Sequence, residues 1–457
     1  MNSELIKKYN QAAPRYTSYP PANHFTEAVN SAHYEAAIQE SNNFEPKNIS
    51  FYLHIPFCKK MCFYCGCNTC PLGKQDQVIS YMNALKKELL KLISLLDKSR
   101  RVSQIHYGGG TPNAIDASYL QELNNIIFDA FELTADAEVA IETNPAYLDA
   151  NYIKALKDAG FNRFSLGIQD FNLEVLKTVN RDPSALPIAD LMQLIKEDQP
   201  NNAINLDFIY GLPGQTPESF AETIKAAAAL RPDRLVTFSY AHLPTVFKNQ
   251  KILEKKGLPQ SDLKVEMYNT AAEILISNGY KAIGMDHFVL PDDELYVALA
   301  SKKLHRNFQG YCTRATTGQV YAVGVSAISQ LEQAYLQNTK SVIDYIKTIE
   351  NGTAATVKGY QLNEQEMIVR ESITELMCNK SLNLENLAER RNISFEKLKN
   401  TLHFDMNKLN EFISDNLLTI NKNIIDITPS GQLFIRNIAA SLDPLQVNPD
   451  RLYSQTI

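Results

Sequence analysis

The amino-acid sequence predicts an α/β fold, a complete or partial (β/α) barrel followed by a small C-terminal α+β domain that is winged-helix-like. Two observations predict the barrel. Short β-rich runs alternate with longer helical segments between about residues 49 and 290, and glycines or polar residues follow most runs. A change of pattern near residue 365 predicts the second domain. A doubly wound open sheet is the alternative for the first part.

Seven β-rich runs define the predicted strands, in which Val, Ile, Phe and Tyr dominate. The runs are residues 49–55, 103–107, 138–142, 163–169, 204–210, 234–240 and 280–286. The segments between them have helical periodicity. Apolar residues recur every three or four positions in 78–98, and 216–230 opens with Thr-Pro-Glu, which is typical of a helix N-terminus. Strands separated by helices predict parallel pairing, with six or seven such units.

Glycine-rich and polar motifs follow the predicted strands one after another. They are GGGTP, ETNP, QDF, GLPGQT, AHLP and MDHF, after the second to the seventh run. In parallel barrels the catalytic groups lie at the carboxyl ends of the strands. The sequence therefore predicts a composite site at that edge.

The pattern from about residue 365 onward predicts a separate small domain. Three helical stretches (364–377, 383–391 and 394–402) precede a β-like pair and a last helix over 432–442. Because the second and third helices mix Glu with Lys and Arg, they offer no basic recognition face. A structural or lid role is therefore favoured over DNA binding.

Composition and charge exclude several classes of protein. The chain has 457 residues, 44% of them hydrophobic, and a formal net charge of -6, which argues against a nucleic-acid-binding protein. The N-terminus shows no secretory signal, and no run approaches the roughly 18 apolar residues of a membrane span. We therefore expect a soluble, cytoplasmic protein without membrane or nucleic-acid partners. In a reducing cytosol, clustered cysteines indicate metal or redox chemistry more often than disulfides.

Five of the seven cysteines fall within thirteen residues, Cys58, Cys62, Cys65, Cys67 and Cys70. A zinc site is one interpretation of this cluster. However, two pairs of zinc-binding cysteines are usually a dozen or more residues apart, and here one residue separates the pair Cys62 and Cys65 from the pair Cys67 and Cys70. The spacing also differs from that of bacterial ferredoxins. Three thiolates on one short loop suit an iron–sulfur cluster in which one iron has no protein ligand.

The Cys58-x3-Cys62-x2-Cys65 spacing resembles that of the radical S-adenosylmethionine (SAM) superfamily, which has a partial (β/α) barrel. Longer segments resemble one family within it, the oxygen-independent coproporphyrinogen III oxidases (HemN-type coproporphyrinogen dehydrogenases). These segments span nearly the whole chain, in order: 14–21, 52–68, 107–112, 162–172, 205–220, 240–244, 284–295, 305–313 and 324–329.

The resemblance implies a set of site residues. Cys58, Cys62 and Cys65 would hold a [4Fe-4S] cluster with one open iron, where SAM binds. Cys67 matches a family cysteine that is not a ligand, and Cys70 receives no role. The residues on the contacts of two SAM molecules would be Tyr52, Tyr64, Gly109, Gly110, Thr111, Glu142, Gln169, Arg181, Asp207, Ala241 and Ile328. Arg15 is a candidate partner for a substrate carboxylate.

The resemblance also implies an activity and a domain plan. Two propionates of coproporphyrinogen III would be oxidatively decarboxylated to vinyl groups, giving protoporphyrinogen IX in haem biosynthesis, by a 5′-deoxyadenosyl radical from SAM. The enzyme, expected to be a monomer, would need an electron donor and a terminal electron acceptor. The predicted parts are an N-terminal extension over the site (1–45), the barrel (46–340) and the C-terminal domain (360–457).

Two related functions stay open as alternatives. One is a haem chaperone of the HemW type, whose members lack the segment PRYTSYP that this chain carries at 14–20. The other is an anaerobic haem- or porphyrin-modifying radical SAM enzyme. A zinc-stabilised structural protein is the alternative from another class.

Overall fold

The computed structural model describes residues 3–284, 286–313, 319–447 and 453. One residue of the predicted strand 280–286 and both outer ends of the predicted terminal domains lie outside these residues. The strands of the structure are β1 Ile49–Ile55, β2 Phe57–Cys58, β3 Cys70–Pro71, β4 Val102–Gly109, β5 Leu133–Thr143, β6 Arg163–Gln169, β7 Ala203–Tyr210, β8 Arg234–Ser239, β9 Lys281–Gly284, β10 His287–Val289, β11 Leu304–Arg306, β12 Tyr311–Thr313, β13 Gln319–Val323, β14 Ile328–Gln330, β15 Ala334–Asn338, β16 Thr356–Gln361, β17 Ser381–Asn383, β18 Leu418–Asn421 and β19 Ile424–Ile427.

Twelve of these strands form one large sheet in the order β16-β15-β14-β13-β1-β4-β5-β6-β7-β8-β10-β9. From β13 to β8 every neighbouring pair is parallel. The first six predicted strands are confirmed, and their carboxyl ends share one edge. In the described part of the chain the end strands β16 and β9 are not paired with each other, so the barrel is partial.

The seventh β-rich run does not add the seventh parallel unit that the sequence allowed. It forms β9, which pairs antiparallel with β10, and β10 pairs antiparallel with β8. Only two residues separate β9 from β10. A parallel crossover needs a dozen or more residues, so this connection can only form a hairpin.

The helices alternate with the parallel strands and cover the outside of the sheet. Helix α8 begins as predicted, with Thr216 as N-cap in a capping box and Pro217 in its first turn. Of the helices described, none has both the length and the apolar character that a bilayer span requires. The helices are α1 Ser3–Tyr9, α2 Ser31–Ser41, α3 Gln75–Leu95, α4 Ala117–Ala130, α5 Ala150–Asp158, α6 Leu173–Thr178, α7 Ile188–Lys196, α8 Pro217–Leu230, α9 Lys251–Glu254, α10 Ser261–Ser277, α11 Glu294–Ala300, α12 Val342–Glu350, α13 Glu364–Asn379, α14 Leu384–Arg390, α15 Phe395–Thr401, α16 Met406–Ser414 and α17 Ile435–Ala440.

The C-terminal domain has its own apolar core and a three-stranded sheet, β17-β19-β18. Its three predicted helices correspond to α13, α14 and α15. The predicted last helix starts as a 3-10 turn over Pro429–Phe434 and becomes α-helical only at Ile435. The sequence reading missed α16 and β17, because each is short and buries few side chains.

Residues near the N-terminus pack into this C-terminal core. Tyr16 and Tyr19 donate hydrogen bonds to the two oxygens of Asp443, both 2.9 Å long. Tyr9 donates to Asp415 at 2.5 Å. The start of the described chain is thus fixed to its far end.

A buried carboxyl group, Glu88 of α3, joins the helix layer to the sheet beside β1. It accepts hydrogen bonds from the N–H of Gly324, the amide of Asn338 and the hydroxyl of Tyr345. Burial raises the pKa of Glu88 to about 7, although these three donors oppose the shift. Glu88 is therefore more easily ionised in the unfolded chain than in the folded protein.

The raised pKa of Glu88 predicts a pH dependence of stability. Between pH 4.5 and 7 the folded protein holds a proton that the unfolded chain has released, so the free energy of unfolding falls as pH rises. From the pKa difference, the loss approaches about 3 kcal/mol above pH 7. The Glu88→Gln variant should lack this component, as urea titrations of both proteins at pH 5 and pH 8 would measure. Equal pH dependence in the two proteins would contradict the prediction.

Candidate functional site

The five clustered cysteines lie on a loop between β1 and α3, residues 56–72, which we call the cysteine loop. Its two ends are held together by β2 and β3, which pair in parallel. The N–H of Cys70 donates to Pro56 at 2.9 Å, and the N–H of Leu72 donates to Cys58 at 2.8 Å. Cys70, left without a role by the sequence, thus closes the loop through its backbone.

Three side-chain amides hold the middle of the cysteine loop. Asn180 donates to the carbonyl of residue 61 at 2.8 Å. Asn249 donates to the carbonyls of residues 62, 63 and 65 at 3.1–3.3 Å, and Gln250 to that of residue 64 at 2.8 Å. Five successive carbonyl groups therefore have partners from two other loops, which fixes the path of the backbone between the thiols.

The three predicted ligand thiols lie in different environments. Cys58 is buried, 3.5 Å from the hydroxyl of Thr111, and burial raises its pKa to about 11. Hydrogen bonds from the thiol and the backbone N–H of Cys67 lower the pKa of Cys65 to about 7. The guanidinium of Arg181 lies 3.6 Å from the sulfur of Cys62. Because a metal binds the thiolate form, loading the site must release the proton of Cys58.

This donor set fits an iron–sulfur cluster. In the described residues, no three His, Cys, Asp or Glu side chains are placed to hold a single metal ion. In an iron–sulfur cluster each thiolate binds a different iron, so the ligands need not converge on one point. The loop supplies three thiols within eight residues of a backbone that hydrogen bonds fix, and such a donor set suits a cluster with one iron left without a protein ligand.

The glycine motif after β4 lies against the base of the cysteine loop. The N–H of Gly110 donates to Ile55 at 2.8 Å, and the N–H of Thr111 donates to Phe57 at 2.9 Å. A Cβ atom on Gly110 would lie 2.5 Å from the carbonyl oxygen of Pro56, and Gly109 has a φ of +113°. Both positions therefore require glycine, and their backbone borders the site directly.

Glu142, near the end of β5, faces the neighbouring strand β4. It accepts a hydrogen bond from His106 at 3.0 Å, and the His106 ring stacks on Tyr52 at 6.0 Å between centroids. Burial alone would raise the pKa of Glu142. The contacts with His106 and the N–H of Gly109 outweigh it, so the pKa lies below its ordinary value. Glu142 is a half-buried anion at neutral pH.

The pKa of Asp207, on β7, is shifted in the opposite direction from that of Glu142. Asp207 accepts hydrogen bonds from Ser165 at 2.7 Å and from Asn205 at 2.8 Å. Burial nevertheless raises its pKa, and the negative charge of Glu142 adds to the increase. Glu142 lies opposite Ser165 in the register of β5 and β6, and Ser165 donates to Asp207, so the two carboxyl groups lie on the same face of the sheet with their pKa values shifted in opposite directions.

Arg181 links the cysteine loop to the end of β6. It donates to the hydroxyl of Tyr64 at 3.2 Å and to the carbonyl of Gly167. Gln169 ends β6 at an irregularity of the pairing with β7 and has a φ of +71°. This left-handed backbone conformation bends the end of the strand, where the side chain of Gln169 is buried.

Three predicted residues lie farther out. Ala241 follows β8 by two residues. Ile328 begins β14 and packs with Phe25 and Tyr335, on the far side of β13 from β1. Arg15 is exposed. The structure therefore links the cysteine loop to the glycine motif and Arg181, and Tyr52 to Glu142 through His106, whereas the contacts described above do not include Ala241, Ile328 or Arg15.

Several residues of the site escaped the sequence reading. His106 lies two positions before Gly108 on β4, so its side chain shares an alternating face with the glycine motif, and this periodicity could have indicated it. Asn180, Asn249 and Gln250 lie in loops that show no local signal. Their role follows only from the folded arrangement.

A cavity of about 270 Å³ lies at the opposite end of the barrel, where the strands begin. It is bordered by buried ion pairs, among them Arg234 with Asp293 at 2.6 Å and Arg163 with Glu138 at 3.2 Å. These charges satisfy one another. Residues at this end of a barrel usually serve stability, so we do not place the site here.

Comparisons with known proteins agree with this geometry. The family model of the radical SAM superfamily matches residues 52–227, and that of the HemN C-terminal domain matches residues 362–434. The oxygen-independent coproporphyrinogen III oxidase of Synechocystis sp. is 38% identical over 100% of this chain and 98% of its own length. That of Escherichia coli K12 is also 38% identical, over 96% and 94%.

A solved structure is similar over the same extent. Coproporphyrinogen III oxidase (HemN) from Escherichia coli, described as a radical SAM enzyme, matches with a TM-score of 0.87 and 36% identity, over 97% of this chain and 98% of that chain. The similarity includes the barrel, the N-terminal segment and the C-terminal domain. The chain belongs to the family of the oxygen-independent coproporphyrinogen III oxidases, within the radical SAM superfamily.

Proposed function

We propose that this protein converts coproporphyrinogen III to protoporphyrinogen IX without oxygen, as a radical SAM oxidoreductase. The observation that carries the proposal is similarity along the entire chain to enzymes of that name. It extends beyond the barrel to the N-terminal segment and the C-terminal domain. The cytoplasmic location, the monomeric state, and the electron donor and acceptor stay predictions.

The cofactors of the family are a [4Fe-4S] cluster and SAM, which together supply a radical able to take hydrogen from an unactivated C–H bond. We propose Cys58, Cys62 and Cys65 as the cluster ligands. The anionic Glu142 can accept hydrogen bonds from SAM hydroxyl or ammonium groups, and Arg181 can pair with a SAM carboxylate. Two bound SAM molecules remain part of this proposal.

The reaction removes one hydrogen atom, one carbon dioxide and one electron from each propionate. Hydrogen leaves the β-carbon, the bond to the carboxylate breaks, and the vinyl double bond forms as the electron passes to an acceptor. The protein's contribution is to hold the propionate beside the bound cofactors and to exclude water. Arg15 and the N-terminal segment that carries it would serve those two tasks, while Glu142 would serve the bound SAM.

We propose Arg15 as a contact for a substrate carboxylate. Burial lowers the pKa of Lys264, and the positive charge of Arg15 lowers it further. The same two effects bring the pKa of Arg436 to about 10, with a smaller contribution from Arg306. Arg436 donates to the carbonyls of Ala13 and Pro14, next to Arg15 in the chain, so a substrate carboxylate bound by Arg15 would lie near a second cation.

An anaerobic assay tests the proposed function. The reconstituted enzyme is mixed with coproporphyrinogen III, SAM and dithionite. We expect protoporphyrin fluorescence after oxidation of the product, together with 5′-deoxyadenosine. Absence of both products would refute the function, and haem binding without decarboxylation would indicate the chaperone alternative.

Substitution of the cysteines tests the ligand assignment. We expect Cys62→Ala and Cys65→Ala to lose the cluster, since each removes one of three ligands. Cys70→Ala should keep it, because Cys70 closes the loop through its backbone. Iron content and visible absorption after anaerobic reconstitution measure the outcome. Equal iron loss in the Cys70 variant would overturn the assignment.

Substitution of Arg15 tests the carboxylate contact. We expect Arg15→Ala to raise KM for coproporphyrinogen III about tenfold or more, with kcat little changed. The variant loses a charged hydrogen bond that the substrate makes equally in the ground state and in the transition state. Arg15→Lys should recover part of the affinity. The exposed Arg101, paired with Glu132, offers a matched control in Arg101→Ala. An unchanged KM in the Arg15→Ala variant would remove Arg15 from the site.

A further inference from the structure

We propose that the segment after β8, residues 241–256, forms a docking surface for an acidic electron-transfer protein, together with the outer side of the cysteine loop. We call residues 241–256 the docking segment. The inference rests on the proposed function, because a cluster on the cysteine loop needs an electron from outside the chain. Three independent observations support it.

The docking segment lies directly on the cysteine loop. Asn249 and Gln250 donate to carbonyls between the proposed ligands. The Phe247 ring covers Gly66 so closely that a Cβ atom there would lie 3.0 Å from it. A protein bound to the docking segment would therefore be separated from the ligand loop by this thin layer alone.

Charge distinguishes this region from the rest of the protein. The chain carries a net charge of -6, yet residues 241–256 contain four lysines and one glutamate. Residues 57–74 contain three lysines and no acidic residue, and of these lysines Lys60 is paired with Asp182 at 2.6 Å. Lys248 and Lys251 are exposed. A local positive surface on an acidic protein favours an acidic partner and speeds its association.

Exposed apolar side chains accompany the lysines. Leu243, Val246 and Ile252 are 42%, 66% and 42% exposed, although they lie within ten residues of one another. Apolar surface with a charged rim is typical of a protein–protein contact. A small reductant would need no such surface, whereas a carrier protein would.

The proposed reaction between the two proteins is the transfer of one electron. One electron leaves the reduced carrier, which is oxidised, and the bound cluster accepts it and is reduced. No atom moves between the proteins. The docking segment would position the carrier's redox group beside the cysteine loop and would take no part in the chemistry of the substrate.

The test uses the reconstituted holoenzyme and a purified acidic flavodoxin as the probe. Binding is measured by calorimetry at low and high salt, and activity is measured with flavodoxin and, separately, with dithionite. The double variant Lys248→Glu/Lys251→Glu reverses two charges of the docking segment. Lys347→Glu/Lys399→Glu is the matched control, since both lysines are exposed on other elements and the change in net charge is equal.

We expect the docking variant to bind flavodoxin about tenfold or more weakly than the control variant, with less dependence on salt. Its dithionite-driven activity and its KM for coproporphyrinogen III should equal those of the control. Equal flavodoxin affinity in both variants would overturn the proposal. A raised KM with dithionite would also overturn it, because the lysines would then serve the substrate. Failure of the proposed function would appear separately, as an inactive parent enzyme with dithionite.

Discussion

The site depends on hydrogen bonds between side-chain amides and the backbone of the cysteine loop. Carbonyl groups from residue 61 to residue 65 all accept from Asn180, Asn249 or Gln250. Of these carbonyls, that of Cys62 also accepts from the N–H of Cys65 within the loop, and unpaired carbonyls would be costly. The side-chain donors follow α6 and β8, so the hydrogen bonds that hold the loop come from distant parts of the folded barrel. The side-chain amides of Asn180, Asn249 and Gln250 thus connect the fold of the barrel to the loop that carries the proposed cluster ligands.

The acidic groups of the site show how one barrel interior can hold two kinds of carboxyl group. Glu142 keeps its charge because His106 donates to it, whereas Asp207 is buried beside neutral donors and holds its proton more firmly. Two carboxyl groups whose environments push their pKa values apart can take different roles in one site. Glu142 lies on β5 and Asp207 on β7, with β6 between them, and their different hydrogen-bond partners create the difference.

The sequence predicted the six parallel strands and their active edge, because β-rich runs and the glycine motifs are local signals. It missed β13 to β16, four short strands that pair antiparallel in succession, with a helix only between β15 and β16. It could not foresee that the seventh run would form a hairpin, since that depends on a two-residue connection. Within the site, the cysteine spacing indicated the ligands. The sequence did not indicate which residues hold the cysteine loop, because Asn180 and Asn249 lie more than a hundred residues away.

The pairing of the first residues with the last has a consequence for how the protein is made. Tyr16 is 427 residues from Asp443, and Tyr9 is 406 residues from Asp415. A ribosome completes the barrel long before it delivers these aspartates. The nascent chain therefore passes through a stage in which the cysteine loop has been synthesised and the N-terminal segment still lacks its C-terminal partners.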